Sequence, residues 1–258
     1  MAQDPACRAP HGWELLCPVP PPKKETYKTD PRIATAKWQF KFLSESLHVS
    51  LFIAALTFKS IHEIAPDGPE EDIWLMGACF WFIGLCGLDM QKYYSWVYSA
   101  DNKREMYQYL KLLLQILTVD YPPQSHWIFK SPGHVVGENL QFLYETFPNA
   151  TFIMTHRKLS SVVASSCSLF RSSASTMVED YSPELMGKNV LDMLATGIEK
   201  SIKFRESVNG KNFIDVQYDE FVKNPIETVK AIYASAGLEY SQEFEDNMKV
   251  RTQVEFCR

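Results

Sequence analysis

Four side chains in the second half of the sequence have the types needed to hold a ligand bearing phosphate or sulfate. They are Lys130, Arg157, Ser165 and Tyr218. An arginine grips phosphate oxygens with a two-pronged fork. A lysine puts a compact positive charge where negative charge develops. A tyrosine stacks on a flat ring or bonds to it. Ser165 lies eight residues after Arg157 and offers a hydroxyl to the same phosphate. Each has an ordinary alternative: Lys130 and Arg157 as surface charges, Tyr218 as a core aromatic, Ser165 as a surface serine. Their common position at predicted element ends carries the reading.

The flanking sequence supplies those elements. Trp127-Ile128-Phe129 is an apolar run that stops at Lys130, and Phe152-Ile153-Met154 is another that stops at His156-Arg157. Between them Leu140, Leu143, Tyr144 and Phe147 recur at helical spacing, and Pro148-Asn149 breaks the helix. The helix after Arg157 has an apolar arc of Leu159, Val162, Val163 and Phe170, opposite Lys158, Ser161, Ser165 and Ser168. Phe213–Gln217 reads as a third strand ending at Tyr218-Asp219. Strand–helix alternation predicts parallel strands, with ligands beyond their carboxyl ends. Further helices are expected over Pro183–Ser207, with Leu191, Leu194, Ile198 and Ile202 buried, over Pro225–Ala236 with Gly237 as the stop, and over Glu243–Val250.

No such alternation precedes residue 127. Residues 1–31 are proline-rich, with Trp13-Glu14-Leu15-Leu16 as an apolar anchor. Helices are expected over Arg32–Leu47 and Arg104–Val119, and Val49–Phe58 is strongly apolar. Glu70-Glu71-Asp72 opens another helix, where acidic groups suit the positive end of the dipole. That helix runs uncharged from Ile73 to Leu88. It is shorter than the ~20 residues a bilayer needs, has no basic flank and contains Gly77, Gly84 and Gly87, so a buried core helix is expected. The aromatic patch Tyr93, Tyr94, Trp96 and Tyr98 suits the core or an apolar acceptor pocket. The expected organisation is one domain over 1–258, with a helical cap at 32–119 and an α/β core at 127–258.

Of the 258 residues 46% are hydrophobic, ample for one large core. The formal charge of -5 argues against a general nucleic-acid binder but not against a small anionic ligand in a basic cleft. The six cysteines lack C-x-x-C spacing and are expected as buried thiols in a reducing compartment. The six histidines are scattered, so no metal cluster is evident. Met1 is followed by polar residues and prolines, unlike a secretory signal.

Lys130-Ser131-Pro132, Thr155-His156-Arg157 with Ser165, and Val216-Gln217-Tyr218-Asp219 with Asn224-Pro225 resemble sulfotransferases that use 3′-phosphoadenosine 5′-phosphosulfate (PAPS). Arg8-Ala9-Pro10, Trp13-Glu14-Leu15, and His62 through Pro69-Glu70-Glu71-Asp72 resemble the branch of that family found in bacteria and many eukaryotes. The resemblance implies a three-layer, parallel-sheet α/β fold of the P-loop nucleoside triphosphate hydrolase type with an α-helical cap. It implies PAPS as co-substrate, Arg157 and Ser165 on its 3′-phosphate, Tyr218 on its adenine and Lys130 on the transferring sulfuryl group. The family's glycine-bearing loop for the 5′-phosphosulfate is not found among the eleven glycines. The fold is therefore expected without its first strand and phosphate loop, the sequence being a piece of a longer protein.

The general base does not carry over, because cytosolic members have a histidine where this chain has Pro132. His134 ranks first as its replacement, followed by His62 and Glu70 or Glu71. The acceptor is expected to be a small molecule or lipid-like alcohol or amine. No nucleic acid or membrane partner is expected, the compartment is expected to be cytoplasmic, and the oligomeric state stays open. An inactive nucleotide-binding remnant and a membrane-associated helical protein remain as rival readings.

Overall fold

The computed structural model describes residues 1–45, 65–81, 88–99, 103–178 and 180–256. His62 and Val49–Phe58 lie outside them. The N-terminal part is helical: α1 (Gly12–Leu16), a 3-10 turn (Lys24–Thr29), α2 (Pro31–Glu45), α3 (Ile73–Gly77), α4 (Gln91–Tyr98) and α5 (Lys103–Thr118). A second 3-10 turn (Pro132–Val135) and α6 (Asn139–Thr146) lead into β1 (Phe152–His156). After it come α7 (Leu159–Met177), α8 (Pro183–Ser207), β2 (Phe213–Gln217), α9 (Tyr218–Lys223), α10 (Pro225–Ala236) and α11 (Gln242–Phe256).

β1 and β2 pair in parallel, with Phe152 opposite Phe213 and His156 opposite Gln217. At the start of the pair the rings of Phe152, Phe213 and Tyr144 stack. This is the α/β arrangement expected, but the sheet of the described residues has two strands. Trp127–Phe129 is not the third. It makes an isolated parallel bridge through Trp127 to Arg8, with Arg8 N–H donating to His126 O at 3.0 Å and Ile128 N–H to Arg8 O at 2.8 Å. The backbone groups of this apolar run are thus satisfied by the N-terminal segment.

The helix expected over Ile73–Leu88 stops at Gly77. Leu75, Met76 and Trp81 are all buried, while Phe80 is 76% exposed. Its positive φ of 60° turns the chain so that Trp81 enters the core. Residues 82–87 are not described. The expected buried stripe of α8 is also displaced: Leu191 and Ile202 are exposed, and the face turned inward carries Met186, Val190, Met193, Gly197 and Ser201. At Gly197 the chain behind that face is close. A β-carbon on Gly197 would lie 2.0 Å from the carbonyl oxygen of Val135.

One apolar cluster runs from Leu15, Leu75 and Trp81 through Tyr107, Leu110 and Leu117 to Phe142, Phe170, Val190 and Met193. It joins the helical part to α7 and α8. A smaller cluster of Val229, Tyr233, Phe244 and Met248 holds α10 to α11, and Gly237 closes α10 in the left-handed conformation, φ 67°. Of the described cysteines Cys17 is exposed and Cys7, Cys79 and Cys167 are half-buried, all as free thiols. The expectation of buried thiols therefore holds only in part: Cys79 and Cys167 pack against the main apolar cluster without full burial, and Cys17 is exposed.

Candidate functional site

The site is built on the carboxyl end of the β1–β2 pair. Because His156 and Gln217 are register partners, the residues that follow them, Arg157 and Tyr218, emerge side by side. The Arg157 guanidinium lies over the Tyr218 ring, 4.8 Å from its centroid. Tyr218 is the first residue of α9 rather than the last of a strand, so its ring is set at a chain reversal. Arg157 is exposed and stands just before α7, whose N-terminal backbone N–H groups add to the positive field at this edge. Ser165 is on α7 and is also exposed.

Behind this edge lies a polar cluster not anticipated from sequence. Asp215, opposite Met154 in the register, accepts two bonds from the Arg205 guanidinium, at 2.7 and 2.8 Å. It also lies 2.5 Å from His156 Nε2. The Arg205 bonds, with help from His156, hold the Asp215 carboxyl well below the ordinary range. The cluster ties α8 to both strands next to Arg157.

Lys130 belongs to a separate cluster, since the run before it is not a strand of the β1–β2 sheet. Its ammonium pairs with Glu71, the lysine being 71% exposed and the glutamate 13%. Ser131 caps the following 3-10 turn through a bond from Gly133 N–H at 3.0 Å. Pro132 opens that turn, where a missing N–H costs nothing. Gly133 sits against Trp81, whose ring a β-carbon there would meet at 2.9 Å. This fixes His134, which bonds through Nε2 to Asp72 at 3.0 Å and through Nδ1 to the Tyr107 hydroxyl at 3.0 Å. Tyr107 is fully buried, and burial pushes its hydroxyl pKa far up. Both nitrogens of His134 are therefore occupied within the chain. Glu70 steadies the neighbouring acid: its carboxylate accepts from Glu71 N–H at 3.2 Å, and its own N–H donates to Pro10 O at 2.9 Å.

Arg157 and Tyr218 are thus brought together, as are Lys130 and Glu71, and His134 and Asp72. Asp72 and Tyr107 were not singled out in sequence; the acidic triplet Glu70-Glu71-Asp72 was the available signal.

A sequence profile described as the sulfotransferase family matches residues 16–242. The chain belongs to the sulfotransferase family. Among solved structures, sulfotransferase STF9 from Mycobacterium avium superposes with a TM-score of 0.79 at 26% identity, over 96% of this chain and 61% of that one. Sulfotransferase STF1 from Mycobacterium tuberculosis H37Rv gives a TM-score of 0.75 at 23% identity, over 97% of this chain and 66% of that one, and speaks to the fold alone. The chain thus spans less than two thirds of the length of either. Comparison with curated protein sequences finds no match.

Proposed function

We propose that this chain carries the 3′-phosphate half-site and the acceptor half of a PAPS-dependent sulfotransferase. The observation that carries the reading is Arg157 set against Tyr218 by the parallel register. An arginine fork beside an aromatic ring at a strand's carboxyl end suits a nucleotide's phosphate and base. In this reading Arg157 and Ser165 hold the 3′-phosphate and Tyr218 contacts the adenine. The full fold is then the three-layer, parallel P-loop-like type with a helical cap, its 5′-phosphosulfate loop supplied by sequence outside residues 1–258.

PAPS supplies an activated sulfuryl group; the acceptor oxygen or nitrogen bonds to its sulfur as the bridging bond to the 5′-phosphate breaks. Lys130 supplies positive charge for the leaving side. Glu71 takes the acceptor's proton, since the carboxylate is already held at Lys130 and is released when the lysine turns to the sulfuryl group. His134 acts as a positioning residue, locked between Asp72 and Tyr107. The exposed aromatic side chains of Trp74 and Phe80 suit a lipid-like or aromatic acceptor. Among the described residues no helix is long and apolar enough to cross a membrane.

Isothermal titration tests the reading. Adenosine 3′,5′-bisphosphate should bind, with ATP and NAD weaker, and Arg157→Ala should weaken the bisphosphate selectively. Equal affinity of wild type and Arg157→Ala overturns the assignment. Transfer of labelled sulfate from PAPS should require a form extended upstream; robust transfer by residues 1–258 alone would mean that the phosphosulfate site lies within them.

A further inference from the structure

The pairing of the N-terminal segment with residues 125–128 has a chemical result away from the proposed nucleotide edge. Ser125 N–H donates to Ala6 O at 2.8 Å, and Arg8 N–H to His126 O at 3.0 Å. This register gathers Asp4, Cys7 and His126, whose carboxylate oxygen, Sγ and imidazole nitrogen all lie within 4.8 Å of one another. Among the described residues no other three such side chains cluster this way.

We propose that Asp4, Cys7 and His126 form a divalent transition-metal site, best suited to Zn²⁺, that clamps the N-terminal segment onto residues 125–128. One thiol, one imidazole and one carboxylate make a mixed donor set for a tetrahedral ion, with a water as fourth ligand. The state of His126 supports ligation independently. Its Nδ1 is 3.0 Å from Ser125 Oγ, while its Nε2 is buried with no hydrogen-bond partner. With Nδ1–H donating to the serine, the buried Nε2 lone pair is left free to take an ion.

Asp4 is braced in the same manner. It accepts from Ala6 N–H at 2.9 Å on one oxygen and from the buried Tyr233 hydroxyl at 2.8 Å on the other. An ionised carboxylate has about four acceptor positions, so two remain for an ion. Cys7 Sγ makes only a weak 3.6 Å bond to Met1 O, which is lost when the thiol gives its proton to solvent and ligates. The edges of a tetrahedral zinc site are about 3.3–3.8 Å, so the cluster must close by up to about 1 Å, chiefly through rotation of the Cys7 side chain, the least constrained of the three.

Titration of the reduced, metal-free chain with Co²⁺ tests this. One equivalent should bind and give a near-ultraviolet thiolate-to-cobalt band that Zn²⁺ abolishes. Zn²⁺ should raise the thermal midpoint. Cys7→Ser should lose the band, and Tyr233→Phe, which removes only the hydroxyl behind Asp4, should weaken Co²⁺ by about tenfold. Cys17→Ser should behave as wild type, Cys17 being exposed and outside the cluster. No thiolate band in the wild type overturns the proposal, as does a band retained in Cys7→Ser or lost in Cys17→Ser. Should Cys7→Ser fail to fold, His126→Gln takes its place, and an unchanged Co²⁺ affinity there also overturns it. These readings need neither PAPS nor activity, so they stand or fall apart from the sulfotransfer proposal.

Discussion

Of the arginines that lie over aromatic rings, Arg8 and Arg157 have opposite surroundings. The Arg8 guanidinium is 4.2 Å from the Tyr121 ring centroid and 4.4 Å from that of Trp127. It also donates to Leu117 O at 2.8 Å, to Tyr121 O and to Glu14. Glu14 in turn accepts from His11 N–H at 2.8 Å and from the Tyr27 hydroxyl at 2.7 Å. Side-chain exposure is 6% for Arg8 and 0% for Glu14. Arg157 is exposed, and among the described residues it has the Tyr218 ring but no hydrogen bond or ion pair. A ring beneath a guanidinium therefore does not distinguish structure from binding. Whether the N–H groups are spent inside the chain does. Arg8 is a strut, and Arg157 has its donors to offer.

That contrast can be broken most sharply at Glu14. Glu14→Ala leaves Arg8 charged and buried without its carboxylate, which should cost about 3–5 kcal/mol; a denaturant series with a midpoint near wild type would remove the distinction. Arg157→Ala should instead leave stability within about 0.5 kcal/mol. It should weaken adenosine 3′,5′-bisphosphate by about 2–3 kcal/mol through loss of charge-assisted bonds. Calorimetry and thermal melting on the same variant separate the two effects.

Lys103 sharpens the comparison from the buried side. It is fully buried, and its ammonium donates to Val97 O, with Glu138 a more distant opposite charge. Burial lowers its pKa to about 8, below the ~10.4 of an unfolded chain. Between those values the unfolded chain holds more protons, so stability should rise with pH from about 8 to 10.4. Lys103→Met should abolish that rise and add on the order of 1–3 kcal/mol at pH 7; Val97 O keeps the Trp81 Nε1 bond at 3.4 Å. A variant whose melting midpoint at pH 7 falls would show that the lysine is as well served as Arg8. The smallest effect is expected for Ser165→Ala, about 1 kcal/mol in bisphosphate affinity for one neutral donor, read by the same calorimetry. A loss exceeding that of Arg157→Ala would reverse their ranking.

The parts legible in the sequence were those governed by local period and punctuation. Pro183–Ser207, Phe213–Gln217 and Pro225–Ala236 are found at the expected bounds, because Pro opens two of them and turns flank all three. Arg157 and Tyr218 were placed together because parallel strands bring their carboxyl ends to one edge. What depended on distant packing was not legible. Trp127–Phe129 is as apolar as a central strand, and nothing local reveals that Arg8 is its partner. Glu71 and Asp72 reach Lys130 and His134 across 59 and 62 residues, so the acidic triplet reads locally as a helix start with candidate bases, not as the partner of those two side chains. The inward face of α8 includes Gly197 because the Val135 carbonyl leaves no room there for a side chain, a steric demand made by another segment.

The parallel β1–β2 pair also has a consequence in time. Its two strands are separated by residues 157–212, which contain the whole of α7 and α8. Parallel strands cannot zip from a hairpin, and closing so long a loop costs entropy before any ladder bond repays it. Docking of α7 on α8 would shorten that search, so the helices are expected to form before the sheet. The juxtaposition of Arg157 and Tyr218 exists only after the strands have met. A refolding chain should therefore recover its helical circular dichroism before it recovers affinity for a nucleotide.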